Sequence, residues 1–226
     1  MKNIKYLLIL ISGICAAQNK FEVMNGSKRY SAAISVDNCN AGNCEGKAVI
    51  KLVDKNSNRF FQTLTSDDLY FFLDEKQKPT VNVIQLYGEQ SPLIFDDFNF
   101  DGTEDLAVRN GNNSGYGGPS YDVYVYNSTK KQFVLSSQLT NLVSENLGMF
   151  VTDHKRKRLI TYSKSGCCWH MTTEYKVVPN KGLRKVYELE EDAMNSEFVT
   201  VTTRNFINNK WQTKTKNYKL SEYYKE

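Results

Sequence analysis

The segment Asp97-Phe98-Asn99-Phe100-Asp101-Gly102-Thr103-Glu104-Asp105 constrains this chain more than any other. Oxygen-bearing side chains alternate around one glycine, and an apolar run, Leu106-Ala107-Val108, follows at once. Oxygens at every second position, with a glycine free to turn sharply, suit a loop wrapped around a hard cation. Calcium takes about six to eight oxygen ligands. Asp97, Asn99 and Asp101 supply side-chain oxygens, Thr103 its carbonyl, and Asp105 closes the set directly or through a water. A helix–loop–helix site is excluded, because Val108 stands where the bidentate Glu belongs and no helical period flanks the loop. The loop feeds a strand instead.

The rest of the chain reads as strand after strand. Tyr30 to Val36, Lys47 to Val53, Phe60 to Thr65, Val81 to Tyr87, Tyr121 to Tyr126 and Phe198 to Arg204 are rich in β-branched and aromatic residues. Asn25-Gly26, Asn112-Asn113, Asn180-Lys181-Gly182 and Asn208-Asn209 supply turn signals between them. Ser66 to Leu73 alone has a helical pattern. Short antiparallel hairpins of this kind build a sandwich, a barrel or a propeller. The order Asp-x-Asn-x-Asp-Gly-x-x-Asp-Leu leading into a strand resembles the calcium loop of FG-GAP or VCBS propeller repeats. With Leu93-Ile94-Phe95-Asp96 leading in and Tyr121 to Tyr126 leading out, the stretch resembles one complete propeller-repeat unit. The fold expected is therefore all-β, antiparallel and β-propeller-like, with a single FG-GAP/VCBS-type loop. A second acidic loop is absent, so the likeness covers one blade. Without a bidentate Glu the site belongs to the weak, extracellular range, on the order of 10⁻⁴ to 10⁻³ M.

Lys2 and Lys5 precede the apolar run Tyr6 to Ile11, and Cys15-Ala16-Ala17 places small residues before a cleavage point. Residues 1–17 are expected to be a secretory signal peptide and 18–226 a single domain, periplasmic or secreted. A lipid anchor on Cys15 fits less well, because Ile14 precedes it. The apolar run falls short of the roughly 20 residues a membrane span needs, so membrane insertion is not expected. The 29 Lys and Arg residues face 25 Asp and Glu. Losing Lys2 and Lys5 leaves a formal charge of about +2, no electrostatic footprint for nucleic acid. The basic cluster His154 to Arg158 reads as a solvated turn between strands.

Four cysteines remain beyond Cys15, and three pairings are open to them. Cys39 and Cys44 bracket a polar, glycine-containing turn, which favours a local disulfide. Cys167 and Cys168 then form a vicinal disulfide or stay as thiols. Two histidines in the whole chain and no Cys-x-x-Cys pair argue against zinc.

Between the strand after the acidic loop and Tyr121 lies a long connection, Asn110 to Ser120, rich in glycine and asparagine with Tyr116 at its middle. Its composition excludes regular structure. Long loops on rigid scaffolds often carry binding, and a tyrosine there is the profile of an interface anchor.

The acidic loop with Leu106-Ala107-Val108, then Gly115-Tyr116-Gly117-Gly118-Pro119-Ser120-Tyr121-Asp122-Val123-Tyr124, then Ser165-Gly166-Cys167-Cys168-Trp169-His170, together resemble a bacterial periplasmic, calcium-binding, β-propeller-like family of immunity proteins and lysozyme inhibitors. It is the type found with the Xanthomonas type IV secretion system that kills bacteria. The resemblance implies calcium on Asp97, Asn99, Asp101 and Asp105, and an inhibitory loop built from Ser114, Gly115, Tyr116 and Tyr121. It also implies a peptidoglycan-degrading, lysozyme-like enzyme as partner, with Tyr116 filling a sugar subsite near the catalytic carboxylates. The alternative is a calcium-dependent cell-surface glycan-binding or adhesion protein. No serine-centred elbow or separable carboxylate pair builds a hydrolase, so no enzymatic activity is expected.

Overall fold

The computed structural model describes residues 19–179, 181–195 and 197–224. The expected signal peptide, with Cys15, lies outside them, as does Asn180 of one expected turn. Period-two alternation of apolar residues organises the first sheet: β1 (Asn19–Val23), β2 (Tyr30–Asn40), β3 (Asn43–Asp54) and β4 (Arg59–Phe72), neighbours in chain order and all antiparallel. Tyr30, Ala32, Ile34 and Val36 turn inward from β2, and Ala48, Ile50 and Leu52 from β3. Cys39 and Cys44 face each other across the β2–β3 hairpin and are disulfide-bonded. The two residues at the hairpin tip, Ala41 and Gly42, both have positive φ, 49° and 84°, which matches the right-handed twist of the strands they join.

Two segments differ from their sequence reading. Ser66 to Leu73, expected to be helical, falls largely within β4, because Leu69 and Phe71 must both reach the core on one face and Phe71 pairs with Cys44. Tertiary packing overrides local propensity here. Val81 to Tyr87, expected as a strand, is a connection held by one isolated bridge between Ile84 and Gln90 and turned by Tyr87 at φ 60°.

A second sheet follows: β5 (Leu93–Asp96), β6 (Asp105–Arg109), β7 (Tyr121–Asn127) and β8 (Gln132–Leu135). Its first two strands, β5 and β6, are buried on both faces, which explains why Leu93-Ile94-Phe95 and Leu106-Ala107-Val108 are continuous apolar runs. Leu93, Phe95, Leu106 and Val108 join the core of the first sheet. Ile94, Ala107, Tyr121 and Val123 join a second core with Phe98, Phe150 and the buried residues of α1 (Ser137–Ser144). Ser136 caps that helix by accepting from the Leu139 amide at 3.4 Å.

The third sheet contains β9 (Val151–Asp153), β10 (Arg158–Ser165), β11 (Trp169–Val178), β12 (Gly182–Asp192), β13 (Phe198–Ile207) and β14 (Lys210–Lys219), again neighbours in chain order, followed by the single turn α2 (Leu220–Tyr223). The basic cluster from His154 is the turn between β9 and β10. Three consecutive antiparallel meanders are thus the architecture of the described residues, an all-β fold with a long six-stranded member. The two four-stranded meanders match the strand count of a propeller blade and the six-stranded one exceeds it, and among the described residues the sheets do not close into the expected propeller, which typically carries about four to eight blades. Among the described residues no helix is long and apolar enough to cross a membrane.

Candidate functional site: an acidic loop and a tyrosine-bearing loop on the middle sheet

The acidic loop joins β5 to β6 and is folded onto its own amides. Asp97 accepts from the amides of Asp101 at 3.1 Å and Gly102 at 2.8 Å, and Asn99 Oδ1 accepts from Asp101 N at 2.9 Å. Asp101 Oδ1 accepts from the Thr103 amide at 2.8 Å, and Asn99 Nδ2 donates to Asp101 Oδ2 at 2.9 Å. Gly102, at φ 89°, makes the turn that brings these groups together. Glu104 leaves the cluster and accepts from Ser27 Oγ, tying the loop to the first sheet. Phe98 points the other way and meets Phe150 edge-to-face at 5.3 Å.

Asp105 is the buried member, with no exposed surface. Its two oxygens accept from the Phe98 amide at 3.0 Å and the Tyr126 amide at 2.8 Å, so one carboxylate fastens the loop to β7. Burial pushes its pKa up to about 7, and the charges of Asp101 and Asp97 add to that. No Lys or Arg pairs with Asp97, Asp101 or Asp105 among the described residues. Nor do three acidic, histidine or cysteine side chains there stand as a ready metal cage. Each Asp105 oxygen receives one amide and keeps a second lone pair. Three carboxylates without a countercharge, one of them buried, form a donor set whose chemistry fits a hard cation.

The tyrosine-bearing loop is ordered rather than irregular. Its base is pinched where the Asn110 amide donates to Ser120 O at 2.8 Å and Ser120 Oγ donates to Asn110 O at 2.6 Å. Asn110 Oδ1 in turn accepts from the amides of Asp67 and Asp68 at an irregularity in β4, docking the loop on the first sheet. The tip, Gly115–Gly117, is a tight turn closed by the Gly117 amide on Ser114 O and the Gly118 amide on Gly115 O, both at 3.1 Å, with Tyr116 and Gly117 at positive φ rather than in a regular helix. Gly115 is needed there: its amide donates to Asn146 O at 2.7 Å, and an added Cβ would stand 2.9 Å from that oxygen.

Of the four residues expected to face a partner, only Tyr116 presents its side chain, 65% exposed. Tyr121 lies in the second core, and its hydroxyl donates to Ser91 O at 2.7 Å. Ser114 is buried too, its Oγ without a hydrogen-bond partner. Both shape the loop from beneath, because β7 alternation turns Tyr121 inward. Tyr116 adopts φ 57°, an uncommon conformation for a bulky residue. From there it reaches the β10–β11 turn, where its hydroxyl accepts from the Gly166 amide at 2.6 Å. That turn carries the Cys167–Cys168 disulfide.

Lys164 and Tyr87 complete the patch. Lys164 Nζ lies 4.7 Å from the Tyr116 ring centre and 5.0 Å from that of Tyr87, which is 66% exposed. Both tyrosines are held at positive φ and flank one cation. Sequence reasoning missed Tyr87 and Lys164; the Tyr87-Gly88 pair was the available turn signal.

The fold has a known counterpart. Among solved structures the chain is similar to that of a Xanthomonas type IV secretion system related protein, at 19% identity and TM-score 0.64, covering 90% of this chain and 95% of that one. No family model and no curated protein matches the chain. The likeness establishes a shared fold along nearly the full length of both chains.

Proposed function

We propose that the chain is a periplasmic or secreted calcium-binding protein, without catalytic activity, that inhibits a peptidoglycan-degrading, lysozyme-like enzyme through the Tyr116 patch. The observation that carries this reading is the exposed pair Tyr87 and Tyr116 around Lys164, on strained backbone fastened from three directions. Strain of this kind concentrates where a side chain is held for binding. A glycosidase cleft offers sugar subsites beside two carboxylates. Tyr116 would enter a subsite, and Lys164 would face the carboxylates across a partly desolvated interface.

Asp97, Asn99, Asp101, the Thr103 carbonyl and Asp105 would hold calcium, which supplies positive charge to an otherwise uncompensated cluster. The residues themselves fix the second sheet, because Asp105 connects the loop to β7 through the Tyr126 amide. A propeller-like FG-GAP arrangement belongs to the same proposal, as does its Xanthomonas secretion-system kinship. The expected signal peptide and the two disulfides support export.

The exposed aromatic pair also favours a second reading, calcium-dependent glycan binding without an enzyme partner. Peptidoglycan hydrolysis by a panel of lysozyme-like enzymes separates the two, measured with and without the purified protein in calcium and in chelator. Stoichiometric loss of activity, abolished by Tyr116→Ala with folding intact, supports inhibition. Unchanged hydrolysis across the panel, with direct retention on peptidoglycan, replaces it with glycan binding.

A further inference from the structure

The outer end of the third sheet carries a groove of about 690 Å³ whose charges are not balanced. Lys176 on β11 and Arg184 on β12 are direct cross-strand partners. Arg158 on β10 lies one residue before the Leu159–Tyr175 pair and continues the row onto a third strand. All three line the same groove. Like charges directly opposite one another destabilise a sheet, and although Arg158 Nη1 donates to the carbonyls of Arg156 at 3.0 Å and Lys157 at 3.1 Å, the row has no countercharge. Glu174, the one acidic lining residue, is held by Arg156 at 2.8 Å, and Arg156 also takes Asp153 at 2.6 Å. Among the described residues no carboxylate lies within ion-pair distance of Arg158, Lys176 or Arg184.

The rest of the lining says what kind of anion suits it. The register between β11 and β12 shifts at Glu174/Tyr175, and such a bulge bends its strand and re-aims side chains. Beside it stand Tyr187 and Phe206, with Asn205 paired to Tyr187 across to β13. Asn208 and Asn209, both at positive φ, close the end as the β13–β14 turn. Side-chain amides match sugar hydroxyls, aromatic faces match the apolar faces of sugar rings, and the cationic row matches acidic substituents. A nucleic acid would call for a broader basic field than a chain of formal charge +4 provides.

We propose that this groove binds an acidic glycan, carboxylated or phosphorylated. It stands apart from the Tyr116 patch: Arg158 and Lys164 lie at opposite ends of β10, about 20 Å apart at strand rise. Glycan capture here does not depend on the inhibitor reading.

The test is calorimetric titration of the full chain with hexagalacturonate, with a phosphorylated mannan hexasaccharide and with neutral cellohexaose. Either acidic oligosaccharide should bind at least about tenfold more tightly than the neutral one, and more weakly as salt rises. The preferred hexasaccharide distinguishes a carboxylate from a phosphate ligand. Arg184→Glu and Lys176→Glu should each weaken binding about tenfold, the scale of one charge-assisted contact. Lys214→Glu, the same charge change on β14 away from the groove, should stay within about twofold. Thermal melts of each variant confirm the fold. Failure of both acidic sugars to bind, an equal loss in Lys214→Glu, or displacement by an acidic peptide or DNA of equal charge overturns the proposal.

Discussion

The Tyr116 hydroxyl accepts a hydrogen bond from the Gly166 amide at 2.6 Å, across 50 residues of sequence and from the second sheet to the third. This bond holds an exposed ring over the disulfide-bearing turn and beside Lys164. It makes one patch of two segments that look unrelated along the chain.

Tyr116 stores backbone strain, so its replacements separate by conformation. Tyr116→Gly should be more stable than Tyr116→Ala by about 1 kcal/mol, because only glycine adopts positive φ freely. Both should lose inhibition. Thermal melts of the pair check this, and equal stabilities would mean that the tip carries no strain.

Lys164→Met keeps the aliphatic stem between the two rings and removes the charge. Folding should be unaffected, while association with an acidic target should slow about tenfold and lose its salt dependence. Stopped-flow binding at two ionic strengths reads both, and an unchanged rate would place Lys164 outside the interface.

Calcium at about 10 mM should stabilise the protein by about 1.4 to 2.7 kcal/mol, given a dissociation constant on the order of 10⁻³ to 10⁻⁴ M. Asp105→Asn should lose most of that gain and, in chelator, should be less stable than the parent by about 1 to 3 kcal/mol, since its amide nitrogen cannot accept from one of the two backbone amides that the carboxylate holds. Denaturant unfolding with and without calcium measures it. A full calcium response in the variant would remove Asp105 from the ligand set.

Phe98→Ala should cost about 3 to 5 kcal/mol, because the ring is fully buried against Phe150 and anchors the acidic loop. Urea unfolding gives the value. A loss under about 1 kcal/mol would show that the loop stays down without it.

Trp169 Nε1 donates to Glu190 at 2.9 Å, and this bond, with Arg204 second, holds the Glu190 carboxyl below its usual 4.5. A depressed folded-state pKa contributes stability that is present above the unfolded value and fades as pH falls through the folded one. Trp169→Phe should therefore be destabilised relative to the parent most above pH 4.5, the difference narrowing in acid. A pH-independent difference would reduce Trp169 to packing alone.

Local chemistry wrote several elements directly into the chain. Alternation at Tyr30, Ala32, Ile34 and Val36 requires a half-buried strand, and the unbroken run Leu106-Ala107-Val108 a strand covered on both faces. Asp97, Asn99, Asp101 and Gly102 form their loop through contacts no more than five residues apart. Such features are legible because their partners are close in sequence. Tertiary structure decided what depends on distant neighbours. It drew Ser66 to Phe72 into β4, since Leu69 and Phe71 gain more from one core than from a helix. It buried Tyr121 and exposed Tyr116, and it brought Tyr87 and Lys164 to the same patch. The sequence alone determined which strands and turns this chain can make. Only packing of the three sheets, which buries one alternating face against another, decided which side chains were left exposed.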